Sequence, residues 1–241
     1  MHPSNTQPPA QHSGTSPAGE KHSRLVVWLT YLIFFAVLNE TVFNVSTPKI
    51  ADEFGLSAAS VSWVMTIFMV FFGIGSVIYG KLADIYSLRR LIEIGTWIYC
   101  AGSVLGFAMQ NSYPLVVLAR GVQAMGASAI PALTFVVIAR HIPEAGRGKV
   151  FGFITSMISV SIGIGPVIGG FVSSNLHWAI LFLMPLPTLL ALPNLRRELP
   201  AESSKHGKVD LPGAVLVAGV VGLLVLYLVF SAMTEMETKW P

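Results

Sequence analysis

Two charged residues stand inside long apolar stretches of the chain, Glu40 and Arg120. A carboxylate and a guanidinium can pair with each other, and a carboxylate can also take up a proton or hold a cationic ligand. Either charge facing lipid would cost about 3 kcal/mol or more, so both should turn toward a protein interior. Glu40 lies fifteen residues past Leu25, or ~22 Å deep at the helical rise of 1.5 Å per residue. Arg120 enters from the opposite surface at Tyr113 and sits roughly 10 Å down, hence ~20 Å from the first surface of a ~30 Å hydrocarbon core. The two fall at nearly one depth. A shared cavity would bring them together, either as a permanent ion pair joining two helices or as a site where a proton and a cationic substrate compete. Glu93 lies near the end of its apolar stretch, where a charged side chain can snorkel to the surface.

Other chemistry is sparse. Cys100 is the single cysteine and lies in an apolar run, so no intrachain disulfide can form. Of six histidines, His2, His12 and His22 lie near the N-terminus, and His141, His177 and His206 are scattered without ligand spacing. No metal or cofactor is expected. No nucleophile–base pair or phosphate loop is visible, so an enzyme is not expected either.

Composition defines the elements that must position these charges. Hydrophobic residues make up 53% of 241 residues and charged residues only 11%, with a mean hydropathy of +0.67. A soluble domain carries about a quarter charged residues; lipid is the solvent that tolerates fewer. Seven apolar segments each approach the ~20 residues that cross a bilayer as a helix. They run at about Leu25–Ser46, Ala59–Tyr79, Leu91–Met109, Tyr113–Ala139, Val150–Ser174, His177–Leu195 and Leu211–Ala232. The expected fold class is therefore all-α and integral to the membrane, a six-helix N-terminal bundle plus one further transmembrane helix.

Domain organisation follows. Residues 1–23 are rich in Pro, Ser, Gln and His and read as a disordered cytoplasmic tail. Residues 24–195 form the six-helix unit, 196–210 a cytoplasmic loop, 211–232 the seventh span and 233–241 a short tail. The pI near 9.1 does not imply nucleic acid, because the basic residues lie between apolar runs. Placing the N-terminus in the cytoplasm puts Lys21, Arg24, Lys81, Arg89, Arg90, Arg140, Arg147, Lys149, Arg196, Arg197, Lys205 and Lys208 inside, against Lys49 and Lys239 outside. That asymmetry orients the chain in a cell membrane. Trp28, Trp63 and Trp178 lie near span ends, as interfacial anchors do.

Two segments add spacing to composition. Gly80-Lys81-Leu82-Ala83-Asp84-Ile85-Tyr86-Ser87-Leu88-Arg89-Arg90 joins the second and third spans. Gly80 suits a close backbone approach, the basic residues can meet helix C-terminal carbonyls, and Asp84 can complement the dipole of the next helix. In the fifth span, Gly165 and Gly169 form a Gly-x-x-x-Gly face, and Pro166 removes a backbone donor and bends the helix. Such a face is also what ordinary tight packing uses.

These segments resemble signatures of the major facilitator superfamily. Gly80, Leu82, Asp84, Arg89 and Arg90 match its Gly-x-Leu-x-Asp-x-x-Gly-x-Arg/Lys-Arg loop, with Ser87 replacing the second Gly. Arg120-Gly121-Val122-Gln123 is similar to its fourth-span Arg-x-x-Gln pattern, whose Arg is associated with proton transfer. Gly165-Pro166-Val167-Ile168-Gly169-Gly170, with Gly152 upstream, resembles the antiporter motif. Leu38-Asn39-Glu40-Thr41 through Pro48 is similar to a first-span pattern of the fourteen-helix drug:proton antiporters. The wider run looks most like the tetracycline efflux proteins of Gram-positive bacteria, although Ile162 stands where those carry an acidic residue.

The resemblance implies a proton-coupled exporter of amphiphilic drugs, tetracycline among them, exchanging drug for protons across the plasma membrane. It assigns Glu40, Arg120, Asn39 and Gln123 to coupling and substrate contact. Gly80, Asp84, Arg89 and Arg90 would form the cytoplasmic gate, and Gly152, Gly165, Pro166, Gly169 and Gly170 the motif face of the fifth span. The expected partners are a small-molecule drug, protons, the lipid bilayer and a missing C-terminal half. The chain is then the truncated first half of a transporter; the alternative is an inactive or interaction-only membrane fragment.

Overall fold

The computed structural model describes residues 17–199, with side chains from Ser23 onward. Within that range the chain is helical throughout. It runs α1 (Pro17–Phe54), α2 (Ala58–Val61), α3 (Trp63–Leu82), α4 (Leu88–Ala108), α5 (Tyr113–His141) and α6 (Glu144–Asn175). Two 3-10 segments (Trp178–Leu183 and Leu186–Ala191) and α7 (Leu192–Glu198) complete it. Six stretches are long and apolar enough to cross a membrane: Ser23–Phe54, Ala58–Leu82, Leu88–Ala108, Tyr113–His141, Glu144–Asn175 and Trp178–Glu198. They are the first six expected spans. The seventh span, residues 1–16, residues 200–210 of the expected loop and the C-terminal tail lie outside the described residues; residues 17–23, expected as disordered tail, form the first turns of α1, and residues 196–198, expected as loop, belong to α7.

Local chemistry sets the helix ends. Gly55 takes the left-handed conformation (φ 62°) that turns the chain out of α1. Ser57 accepts from the Ser60 backbone N–H to start α2, and Ser87 caps α4 by accepting from the Arg90 N–H. Pro114 occupies the first turn of α5, where its missing donor costs nothing.

The sixth span departs from expectation. An α-helix was expected, whereas most of this span is 3-10 before the short α7. Its sequence carries Pro185, Pro187 and Pro193 in close succession. Each removes a donor from the i→i−4 ladder, and the tighter i→i−3 bonding, such as Thr188 N–H to the Pro185 carbonyl, takes over. Hydropathy reports length and polarity, not which bonding register the backbone uses.

α5 lies at the centre, packed closely against α3 and α4, while α1 packs against α6. Small residues permit that approach. A Cβ on Gly126 would lie 2.1 Å from the Tyr99 backbone nitrogen, and one on Gly102 would lie 2.4 Å from that of Gln123. The interior holds two apolar clusters stacked along the membrane normal. One gathers Leu29, Leu32, Ile33, Tyr99, Leu133 and Ile138. The other gathers Val42, Phe43, Val64, Val116 and Phe182. Between them lies a thin polar layer built from Asn39, Glu40, Ser103, Arg120 and Gln123.

Candidate functional site

Arg120 is fully buried in the first third of α5. Its Nη2 donates to Glu40 Oε2 at 2.9 Å, and its Nη1 donates to Gln123 Oε1 at 2.7 Å and to Asn39 Oδ1 at 3.4 Å. The guanidinium is also sandwiched between two rings, with Cζ 4.2 Å from the Phe43 centroid and 4.0 Å from that of Phe68. Both neighbours of the charge are fixed in turn. Gln123 Nε2 donates to Ser103 Oγ, whose hydroxyl donates to the Tyr99 carbonyl. Asn39 Nδ2 donates to the Leu181 carbonyl in the 3-10 stretch of the sixth span. The residues expected to share one depth do share it, and the layer ties four spans together.

Glu40 differs from Arg120 in exposure: its side chain keeps 25% of its surface, against none for the arginine. It lines a cavity of about 340 Å³ whose other walls include Ile33, Phe68, Met69, Phe72, Pro131 and Ile162. Its second oxygen, Oε1, has no hydrogen-bond partner among the described residues. Phe68 is the wall that joins the two halves of the site, because it lines the cavity and covers the guanidinium. An apolar, aromatic space with one carboxylate can hold an amphiphile by its rings and a polar or cationic head by Glu40. Phe43 and Phe68 escaped the sequence reading. Phe43 follows Glu40 by three residues, one helical turn, and that spacing is the signal that could have found it.

The loop after the second span is arranged differently from the expectation. Asp84 was expected to complement the dipole of the next helix; it pairs instead with Arg140 at the end of α5, at 3.2 Å. Gly80 was expected at a close approach in a turn. It lies within α3, and nothing among the described residues comes within 4 Å of where its Cβ would be. Arg89 and Arg90 open α4 and so sit at a helix N-terminus. Helix carbonyls are met instead by Arg147, which donates to those of Ala139 and Ile142. Glu93 does not snorkel alone: it pairs with Arg89 at 3.2 Å and with Arg196 at 3.0 Å, linking the start of α4 to the end of the sixth span.

In α6 the motif residues divide between two faces. A Cβ on Gly165 would lie 2.5 Å from Thr41 Cγ2, and one on Gly169 would lie 3.0 Å from the Val42 carbonyl, so this pair seats α6 against α1. Gly152 and Gly170 have open space instead, and Pro166 is exposed within the continuous helix.

The described residues form a bundle of six membrane-length segments around a carboxylate–guanidinium pair that borders an apolar cavity. Residues 29–236 match the family described as Major Facilitator Superfamily, and the chain belongs to it. It is 28% identical over 199 residues to the riboflavin transporter RibZ of Clostridioides difficile, covering 80% of this chain and 43% of that protein. It is 30% identical over 207 residues to the multidrug export protein EmrB of Haemophilus influenzae, covering 85% of this chain and 40% of that one. The fold is similar to the crystal structure of a bacterial homolog of the human lysosomal transporter Spinster, with a TM-score of 0.60 at 20% identity over 82% of this chain and 47% of that one. It is also similar to a D-xylose-proton symporter, with a TM-score of 0.53 at 17% identity over 87% of this chain and 52% of that one. The chain spans less than half the length of these two curated relatives.

Proposed function

We propose that this chain supplies the first half of a proton-coupled antiporter that exports amphiphilic drugs, tetracycline-like molecules among them, across the plasma membrane. The observation that carries the reading is Glu40, ion-paired to a fully buried Arg120 on one side and open to an apolar cavity on the other. One carboxylate then serves two ligands. A proton on Glu40 weakens its hold on Arg120 and on a cationic or hydrogen-bonding substrate, and the substrate in turn competes with the proton. The likeness to a multidrug export protein supports the drug-export class. Asn39 and Gln123 orient the guanidinium. Asp84 with Arg140 forms the charge latch at the cytoplasmic gate, with Gly80, Arg89 and Arg90 around it. Gly152, Pro166 and Gly170 turn toward the second half of the transporter, where alternating access would rock the halves about the site.

The test is drug uptake into inside-out vesicles under an imposed proton gradient, with the second half co-expressed, comparing wild type with Glu40→Gln. The reading expects proton-driven tetracycline uptake that the substitution abolishes. Uptake that survives Glu40→Gln would remove Glu40 from coupling. A second reading, a membrane fragment that makes no pathway of its own, is favoured by the partial coverage of the relatives; absence of uptake from every combination would support it.

A further inference from the structure

At the end of the bundle opposite Asp84, His177 links α6 to the 3-10 start of the sixth span. Its Nδ1 accepts the backbone N–H of Ala179 at 3.2 Å and so caps that first turn. An accepting Nδ1 must carry a lone pair, which places the ring's single proton on Nε2. Nε2 lies 3.3 Å from Glu53 Oε1, and the other Glu53 oxygen accepts the Trp178 indole N–H. Nδ1 is therefore occupied in the neutral form. A second proton can only enter at Nδ1, where it would point at the Ala179 N–H as donor against donor. The ring must then leave the cap, while Glu53 attracts the imidazolium it has become.

From this geometry we propose that His177 is a proton-binding site, and that proton uptake there releases the first turn of the sixth span. The inference stands apart from the antiport reading. His177 is half-exposed, so protons reach it from solvent. On α1 the nearby charged groups are Glu53 itself, Asp52 beside it in sequence and Lys49 one turn before. α5 contributes Tyr113, whose hydroxyl is engaged with the Ser60 carbonyl. The last turns of α4 and α6 bring no titratable side chain. The released turn leads inward, because it carries the Leu181 carbonyl that holds Asn39, and Asn39 contacts Arg120. A proton at this end thus loosens one support of the central polar layer.

The experiment uses the full chain in lipid nanodiscs with Trp28, Trp63, Trp97 and Trp240 replaced by Phe, leaving Trp178 as the only indole. The two rings lie 5.5 Å apart, close enough for the imidazolium to quench the indole. Trp178 emission should fall in a single one-proton step on acidification. His177→Asn, which caps a helix without titrating, should give a flat profile. Nitrogen-15 spectra of labelled histidine should show an unprotonated Nδ1 at the high-pH end. A pH-independent wild type, an equal step in His177→Asn, or a protonated Nδ1 at high pH would overturn the proposal.

Discussion

Arg120 makes three side-chain hydrogen bonds and two ring contacts without any exposed surface, so its charge depends on those partners for solvation. Removing one member of a buried pair leaves the other unsolvated, at a cost of about 3–5 kcal/mol. Arg120→Ala should therefore lower the thermal unfolding midpoint in detergent far more than Glu40→Gln, because Glu40 is partly exposed and its amide can still accept a hydrogen bond. Equal losses would contradict the asymmetry in burial. The exposed Asp84–Arg140 pair belongs to a different regime, since solvent screens it. Asp84→Asn should change stability by less than about 1 kcal/mol, measured in the same melt. Glu40 and Arg120 were legible in the sequence because a charge in an apolar run is costly and the helical rise fixes its depth. Phe43 and Phe68 were not, since an aromatic facing a guanidinium and one facing lipid look alike in a string of letters.

At the scale of the element, contacts turn on where small residues fall. Gly126 meets the Tyr99 backbone, and neither side can yield without parting α4 from α5. Gly126→Ala should cost about 1–3 kcal/mol through overpacking, whereas Gly152→Ala, in open space, should leave the melting profile of the chain unchanged. A matching loss at both positions would argue against this packing. The placement of the six described spans followed from hydropathy, which responds to length and polarity. The 3-10 form of the sixth span did not, although its three prolines were in view, because composition does not reveal the bonding register. The same holds for the loop residues. The spacing of Gly80, Asp84, Arg89 and Arg90 marked the family, but their partners are set by how the helices come together. Asp84 met Arg140 from a helix more than fifty residues away.

Among the described residues two apolar clusters are separated by the polar layer of Asn39, Glu40, Ser103, Arg120 and Gln123, and Glu40 in that layer lines a cavity. Among the described spans α6 is the least buried. The account holds that the charged pair faces an interior space and not lipid. Cysteine accessibility tests this most directly, in a Cys100→Ala background with single cysteines at position 40 and at Val104, which is 52% exposed on α4. A small water-soluble thiol reagent should modify the cysteine at position 40, with tetracycline slowing the reaction, and should leave the one at position 104 unreacted in the bilayer. Reaction at 104 with none at 40 would place the carboxylate against lipid and contradict the account.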